Sequence, residues 1–173
     1  MLFQSAESRY NQWVRDHYRF LLRSAWALTG SRAVAEDVVQ DCYANAWKHR
    51  AQLRDPAFAR AWLFQIMRRG ALRQLTEPQA PEDAEAPETA APESGIDDRL
   101  DVVKALARIA PIHREVLVLY YFDDMPTAQM AEALEVAPGT VLSRLARARD
   151  ALKAVLAPPV PRDSGNVTAL RKF

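Results

Sequence analysis

The 173 residues carry 23 Lys and Arg against 22 Asp and Glu, are 49% hydrophobic, and include one cysteine, which excludes an internal disulfide and suits one or two small globular domains better than a disordered chain. No run approaches the roughly 18 apolar residues of a membrane span, and MLFQSAESRY lacks the basic and apolar regions of a signal peptide, so a cytoplasmic protein without membrane insertion is expected. Three scattered histidines give no metal-ligand spacing, no cofactor loop is present, and the lone Cys42 reads as a small core residue.

The near-neutral total hides three blocks. Residues 1–75 carry a net charge of +6, residues 76–98 a net −8 with no base among them, and residues 99–173 a net +3. Basic blocks flanking an acidic one point to nucleic acid or another polyanion as partner of the blocks, a solvated charged face being the competing reading.

In chain order, Tyr10, Trp13, Val14, Leu21, Ala25 and Leu28 follow helical spacing until Thr29-Gly30-Ser31 breaks it. Ala35, Val38, Val39, Cys42 and Ala46 predict a second helix. On it Glu36, Asp37, Gln40 and Asp41 form one acidic, hydrogen-bonding stripe, suited to an arginine-rich partner. Carboxylates favoured at a helix N-terminus would explain the first two as well. Asp55-Pro56 predicts the start of a third helix running to about Leu75. Phe58, Trp62, Leu63, Phe64, Ile66, Met67 and Leu72 make that helix apolar nearly all round, as expected of a central helix or one with a face reserved for a partner. Gly70 within it is a poor helix residue.

TEPQAPEDAEAPETAAPESGID, residues 76–97, has four prolines and a single aliphatic residue, Ile96. It predicts an extended, self-repelling linker. The chain thus divides into a helical domain over 1–75, the linker, a helical domain over 98–156 and a tail over 157–173. No alternating strand pattern occurs, so the predicted fold is all-α with two helical domains. In the second domain, helices are predicted over 98–109, 111–122, 127–134 and 138–156. The last two, joined by Glu135-Val136-Ala137, form a helix-turn-helix candidate with Ala131 allowing close approach. Along the final helix, Val141, Leu145, Ala148 and Leu152 fall within about 60° of one another and define its buried side. Thr140, Ser143, Arg144 and Arg147 share a different, exposed arc, where hydroxyls and guanidiniums can read base edges. Arg149 lies on the other flank, better placed for phosphate.

PTAQMAEALEVAPGTVLSRLARARDALK resembles the DNA-binding region of the extracytoplasmic-function group of bacterial sigma factors. Its hallmark run appears as Gly139-Thr140-Val141-Leu142-Ser143-Arg144-Leu145-Ala146-Arg147-Ala148-Arg149. AEDVVQDCYANAWKHR, residues 35–50, resembles the family's helix that docks on RNA polymerase. FARAWLFQIMRRGALRQL, residues 58–75, resembles the helix that melts and holds the −10 strand. The resemblance implies that core RNA polymerase binds through Glu36, Asp37, Gln40 and Asp41. It implies a −35 contact through Thr140, Ser143, Arg144, Arg147 and Arg149. It also implies a −10 surface in which Trp62 and Phe64 stack on bases while Arg60, Arg68, Arg69 and Arg73 hold phosphate; core packing is the competing role for either aromatic. An anti-sigma factor is an implied further partner. The chain departs from the family at Leu142, often basic, and at Ala146, often larger, which removes two possible −35 contacts. Arg69 and Gly70 depart at the end of the −10 helix.

The 22-residue linker spans at most ~70 Å at ~3.3 Å per residue, enough for promoter elements ~50 Å apart, about one and a half turns of DNA. Its carboxylates either imitate a nucleic-acid backbone inside the polymerase or serve as a solubilising tether. A stand-alone helix-turn-helix regulator would leave the acidic stripe and residues 58–75 without a purpose. A sigma mimic that only sequesters an anti-sigma factor would not need Arg144, Arg147 and Arg149. No Ser or Cys paired with His, no metal cluster and no phosphate loop suggests an enzyme, so no catalytic residue is expected.

Overall fold

The computed structural model describes residues 5–77 and 96–158, which form seven α-helices and, among the described residues, no strand. These are α1 (Ala6–Thr29), α2 (Arg32–Lys48), α3 (Ala59–Thr76), α4 (Ile96–Ala107), α5 (Pro111–Asp123), α6 (Thr127–Leu134) and α7 (Pro138–Leu156).

Local chemistry sets most of the boundaries. The Ser5 hydroxyl accepts from the Ser8 amide at 3.1 Å and opens α1. Gly30 closes the same helix in the left-handed region at φ 77°, its amide donating to the Trp26 carbonyl at 2.8 Å. Ser31 caps α2. Asp55 does cap the turn ahead of the third helix, with Pro56 in its first position, but that turn is a 3-10 segment, Pro56–Phe58, and α3 begins only at Ala59. In the second half α4 begins at Ile96, two residues inside the stretch expected to be linker. The linker expectations otherwise fall on 78–95, and those for the tail on 159–173; both lie outside the described residues.

α1, α2 and α3 pack on one another around Leu21, Val39, Leu63, Phe64 and Met67, all fully buried. Cys42 belongs to this core; burial pushes its thiol up to about 12, so it stays protonated and inert. In the second half α5 is buried all round from Val116 to Leu119 because α7, α6 and α4 cover one side and α1 the other. α3 likewise meets α6. The two groups of helices therefore share one continuous core.

α6 and α7 form the expected helix-turn-helix. Leu134, Val141 and Leu145 are buried at the crossing and Val136 packs against them. The turn needs one residue in the left-handed region, and Glu135 supplies it at φ 56° without the freedom of glycine. Ala131 sits beneath it, its carbonyl accepting from the Val136 amide at 3.0 Å.

Candidate nucleic-acid and polymerase interfaces

Three surfaces hold the residues singled out in the sequence. On α2, Asp37, Gln40 and Asp41 are exposed side by side and Glu36 is half-buried. Among the described residues only Glu36 of the four is engaged, 3.2 Å from Arg32 one turn earlier. The stripe is a preformed acceptor surface lying over the core positions Val38, Val39 and Cys42.

On α7, Val141, Leu145 and Ala148 face the core as the spacing requires, and Leu152 is half-buried. Ser143 and Arg147 are exposed, and Thr140 and Arg144 are half-exposed beside them. The Ser143 hydroxyl donates back to the Thr140 carbonyl at 3.0 Å. Neither Arg144 nor Arg147 forms an ion pair with any described residue, so both guanidiniums keep all their donors available. Arg149 is separate from them: its guanidinium lies 4.8 Å from the centre of the Tyr120 ring. Leu142, 56% exposed, and Ala146 leave the same outer face short of polar groups.

The third surface, on α3, departs furthest from the sequence expectation. Phe64 is fully buried and stacks on Phe20 with ring centres 6.0 Å apart, so it shapes the core and has no face left for a base. Trp62 is half-buried edge-to-face on Trp13 at 5.8 Å. Arg73 is exposed. The other three arginines reach across to the second half of the chain. Arg60 Nε lies 2.8 Å from Asp123 Oδ2 at the end of α5, and its Nη2 donates to Gln129 Oε1 at 3.0 Å. Arg68 Nε lies 2.9 Å from Glu115 Oε1, and Arg69 Nη2 lies 2.7 Å from Glu135 Oε1 in the helix-turn-helix turn. Between them, Gln65 donates to the Glu132 carbonyl.

These contacts differ in quality. The Arg69–Glu135 pair is exposed and contributes little. In the Arg68–Glu115 pair the carboxylate is buried and the guanidinium half-buried, yet the Nε–H is not aligned for a hydrogen bond, and Glu115 Oε2 has no partner among the described residues. Proximity gives that pair Coulomb attraction, while desolvation cancels much of it. Burial raises Asp123 above the ordinary carboxylate range, although Arg60 and Arg23 pull the other way. His17 is lowered, chiefly by burial, with Arg60 adding to the effect and Asp16 opposing it.

Arg114, which sequence reasoning missed, also ties the halves. It is buried and donates to the Leu28 carbonyl at the end of α1 (2.8 Å), the Ile109 carbonyl (3.0 Å) and the Ala107 carbonyl (3.2 Å). One guanidinium thereby caps the C-terminal ends of two helices from different halves. Its only sequence signal was a charged pair, Arg114-Glu115, at the head of an apolar run.

Among the described residues, no group of His, Cys, Asp and Glu is placed to hold a metal ion, and no helix is long and apolar enough to cross a membrane.

Comparison with known proteins agrees with this layout. Residues 13–79 match the Sigma-70 region 2 family and residues 99–152 the Sigma-70 region 4 family. The ECF RNA polymerase sigma factor SigL of Mycobacterium tuberculosis is 38% identical over 150 residues, covering 82% of this chain and 85% of the relative. The RNA polymerase sigma-E factor of Streptomyces coelicolor is 33% identical, covering 80% and 81%. Among solved structures, CnrH in complex with the cytosolic domain of CnrY superposes with a TM-score of 0.67 at 26% identity, over 85% of this chain and 86% of that one. The sigma factor RpoE in complex with the anti-sigma factor NepR from Bartonella quintana gives 0.64 at 25% identity, over 84% and 97%.

Proposed function

Because the chain belongs to the extracytoplasmic-function family of RNA polymerase sigma factors, its function is to direct core polymerase to specific promoters, and we propose how its surfaces divide that work. The stripe of Glu36, Asp37, Gln40 and Asp41 on α2 docks on core polymerase. α7 enters the −35 groove, with Thr140, Ser143, Arg144 and Arg147 toward the bases and Arg149 toward phosphate. Trp62, Arg73 and the arginines 60, 68 and 69 of α3 meet the −10 element. Phe64 takes no part except to hold α3 in place. Bond-making belongs to the polymerase; this chain contributes binding and orientation, in the cytoplasm where polymerase and chromosome are.

The carrying observation is that Arg60 and Arg68, and more loosely the exposed Arg69, each face a carboxylate from the other half, Asp123, Glu115 and Glu135. A −10 strand would have to displace Asp123 and Glu115 to reach the partly covered Arg60 and Arg68. The packed arrangement is therefore the resting form, and DNA binding requires the halves to part. A separate anti-sigma protein is the proposed regulator of that step, by likeness to RpoE, whose structure was solved with one.

Reversing Asp37 and Asp41 to lysine tests the polymerase contact. Both positions are exposed, so the circular dichroism of the double variant should match wild type while co-purification with core polymerase is lost. Retained co-purification would reduce the stripe to carboxylates favoured by a helix N-terminus.

A further inference from the structure

Leu142 is 56% exposed in the second turn of α7, the helix assigned to the −35 groove. At about 100° per residue it lies between the buried row of Val141, Leu145 and Ala148 and the outermost residue, Ser143. Its neighbours one turn away on the same face carry almost no side chain. Gly139 precedes it, and a β-carbon at that position would meet nothing within 4 Å. Ala146 follows it and is exposed. Leu142 therefore stands alone above a shallow stretch of backbone, where α7 can approach a duplex closely. Further along the same row, at i+7, Arg149 carries the charge assigned to phosphate.

We propose that Leu142 is a specificity residue of the −35 contact and reads the 5-methyl group of one thymine; the proposal rests on the groove-reading role of α7 given above. A leucine side chain neither donates nor accepts, so hydrogen bonding to a base edge is closed to it. Thymine is the one base that presents an apolar group in the major groove. Cytosine would offer only a hydrogen in the methyl's place. A purine would offer its N7 acceptor, which leucine leaves unpaired as water is expelled. Position agrees with chemistry. Of the major-groove groups of an A·T pair, the methyl lies nearest the phosphates of its own strand. Leu142 shares its row with the phosphate-directed Arg149, while Ser143 and Arg147 lie further round, toward the hydrogen-bonding edges.

The apolar residue thereby changes what this position reads instead of silencing it. A lysine or arginine here would seek the N7 and O6 of a guanine, whereas Leu142 takes a thymine. The contact also differs in kind from those of Arg144 and Arg147. It displaces water and no counterion, so its share of the discrimination does not fade as salt rises.

The test replaces the thymines of the −35 element by uracil, one at a time and on both strands, in a promoter to which the wild type binds in cells. Uracil pairs as thymine does and lacks only the methyl group. The full-length wild type with core polymerase therefore carries the first measurement, and no variant has to fold. One replacement should weaken binding roughly three- to fourfold, the worth of one methyl group taken out of water. The factor should be the same at low and high salt. With Leu142→Ala that position should become indifferent to the replacement, while Leu142→Met should keep the discrimination. Binding to core polymerase without DNA should be equal for wild type and both variants. The proposal is overturned if no replacement weakens the wild type, or if Leu142→Ala keeps the full discrimination. It is overturned equally if Leu142→Ala loses core polymerase in the absence of DNA, which would give Leu142 to a protein contact. Failure of the groove-reading role is a separate result: Arg144→Ala and Arg147→Ala would then leave binding unchanged at every base pair.

Discussion

Gly70 sits inside α3, where a β-carbon would meet only Val38 Cγ1, at the ordinary contact distance of 3.5 Å, and its φ is not positive. Nothing in the backbone or the packing requires glycine, so Gly70→Ala should stabilise the protein by up to ~1 kcal/mol through helix propensity and a less flexible unfolded chain. The midpoint of chemical denaturation should rise; a fall would mean that Val38 cannot accommodate the methyl group. The sequence marked this glycine as weak for a helix, and the helix continues through it because α2 packs alongside. Other residues were less legible. Phe64 and Trp62 lie two positions apart on a helix that is apolar nearly all round, and periodicity alone assigned no inward side. Only the position of α1, with Phe20 against Phe64, decides that Phe64 is interior and Trp62 half out. Arg114 was invisible for the complementary reason: the carbonyls it binds lie as far as 86 residues away, at Leu28.

At the scale of the element, the helix-turn-helix was fully legible. α6 and α7 begin and end where the pattern placed them, because Pro138 starts a helix and the buried stripe of α7 has a clean period. α3 shows where legibility stops. Its arginines were recognisable as a polyanion surface, yet three of them meet carboxylates, since a charge pattern gives a partner's sign and not its identity. The same distinction separates the arginines of α7. Arg144 and Arg147 form no ion pair with any described residue on the arc shared with Thr140 and Ser143, whereas Arg149 rests on Tyr120. Arg144→Ala or Arg147→Ala should therefore cost ~1–3 kcal/mol at the cognate −35 element and relax preference at one base pair. Arg149→Ala should weaken all sequences about equally and lower the salt slope by ~1. Holoenzyme titrations at several salt concentrations, on cognate and single-base variant elements, distinguish the two patterns. Small, uniform losses for all three would leave α7 with a merely solvated basic face.

For the whole molecule, the decisive quantity is the free-energy difference between packed and parted halves, and Asp123 reports on it. It ends α5, where a helix dipole disfavours negative charge, and it is 15% exposed opposite Arg60. Burial raises its pKa more than Arg60 and Arg23 lower it. A carboxyl whose pKa is raised in the packed state favours packing while protonated, below its ordinary range, and that contribution is lost as pH rises through the raised value. The ionised Asp123 therefore loses more by burial than it gains from Arg60 and Arg23 across the seam, and the apolar core and Arg114 hold the halves together. Asp123→Asn removes the charge and keeps the shape. The packed population, read as interdomain energy transfer between dyes placed on α2 and α7, should grow, and promoter binding by free holoenzyme components should slow in proportion. Wild type should also close further on mild acidification, while the Asn variant should lose that portion of the pH response. If the Asn variant opens instead, attraction to Arg60 outweighs desolvation, and Asp123 belongs among the contacts that keep the protein closed.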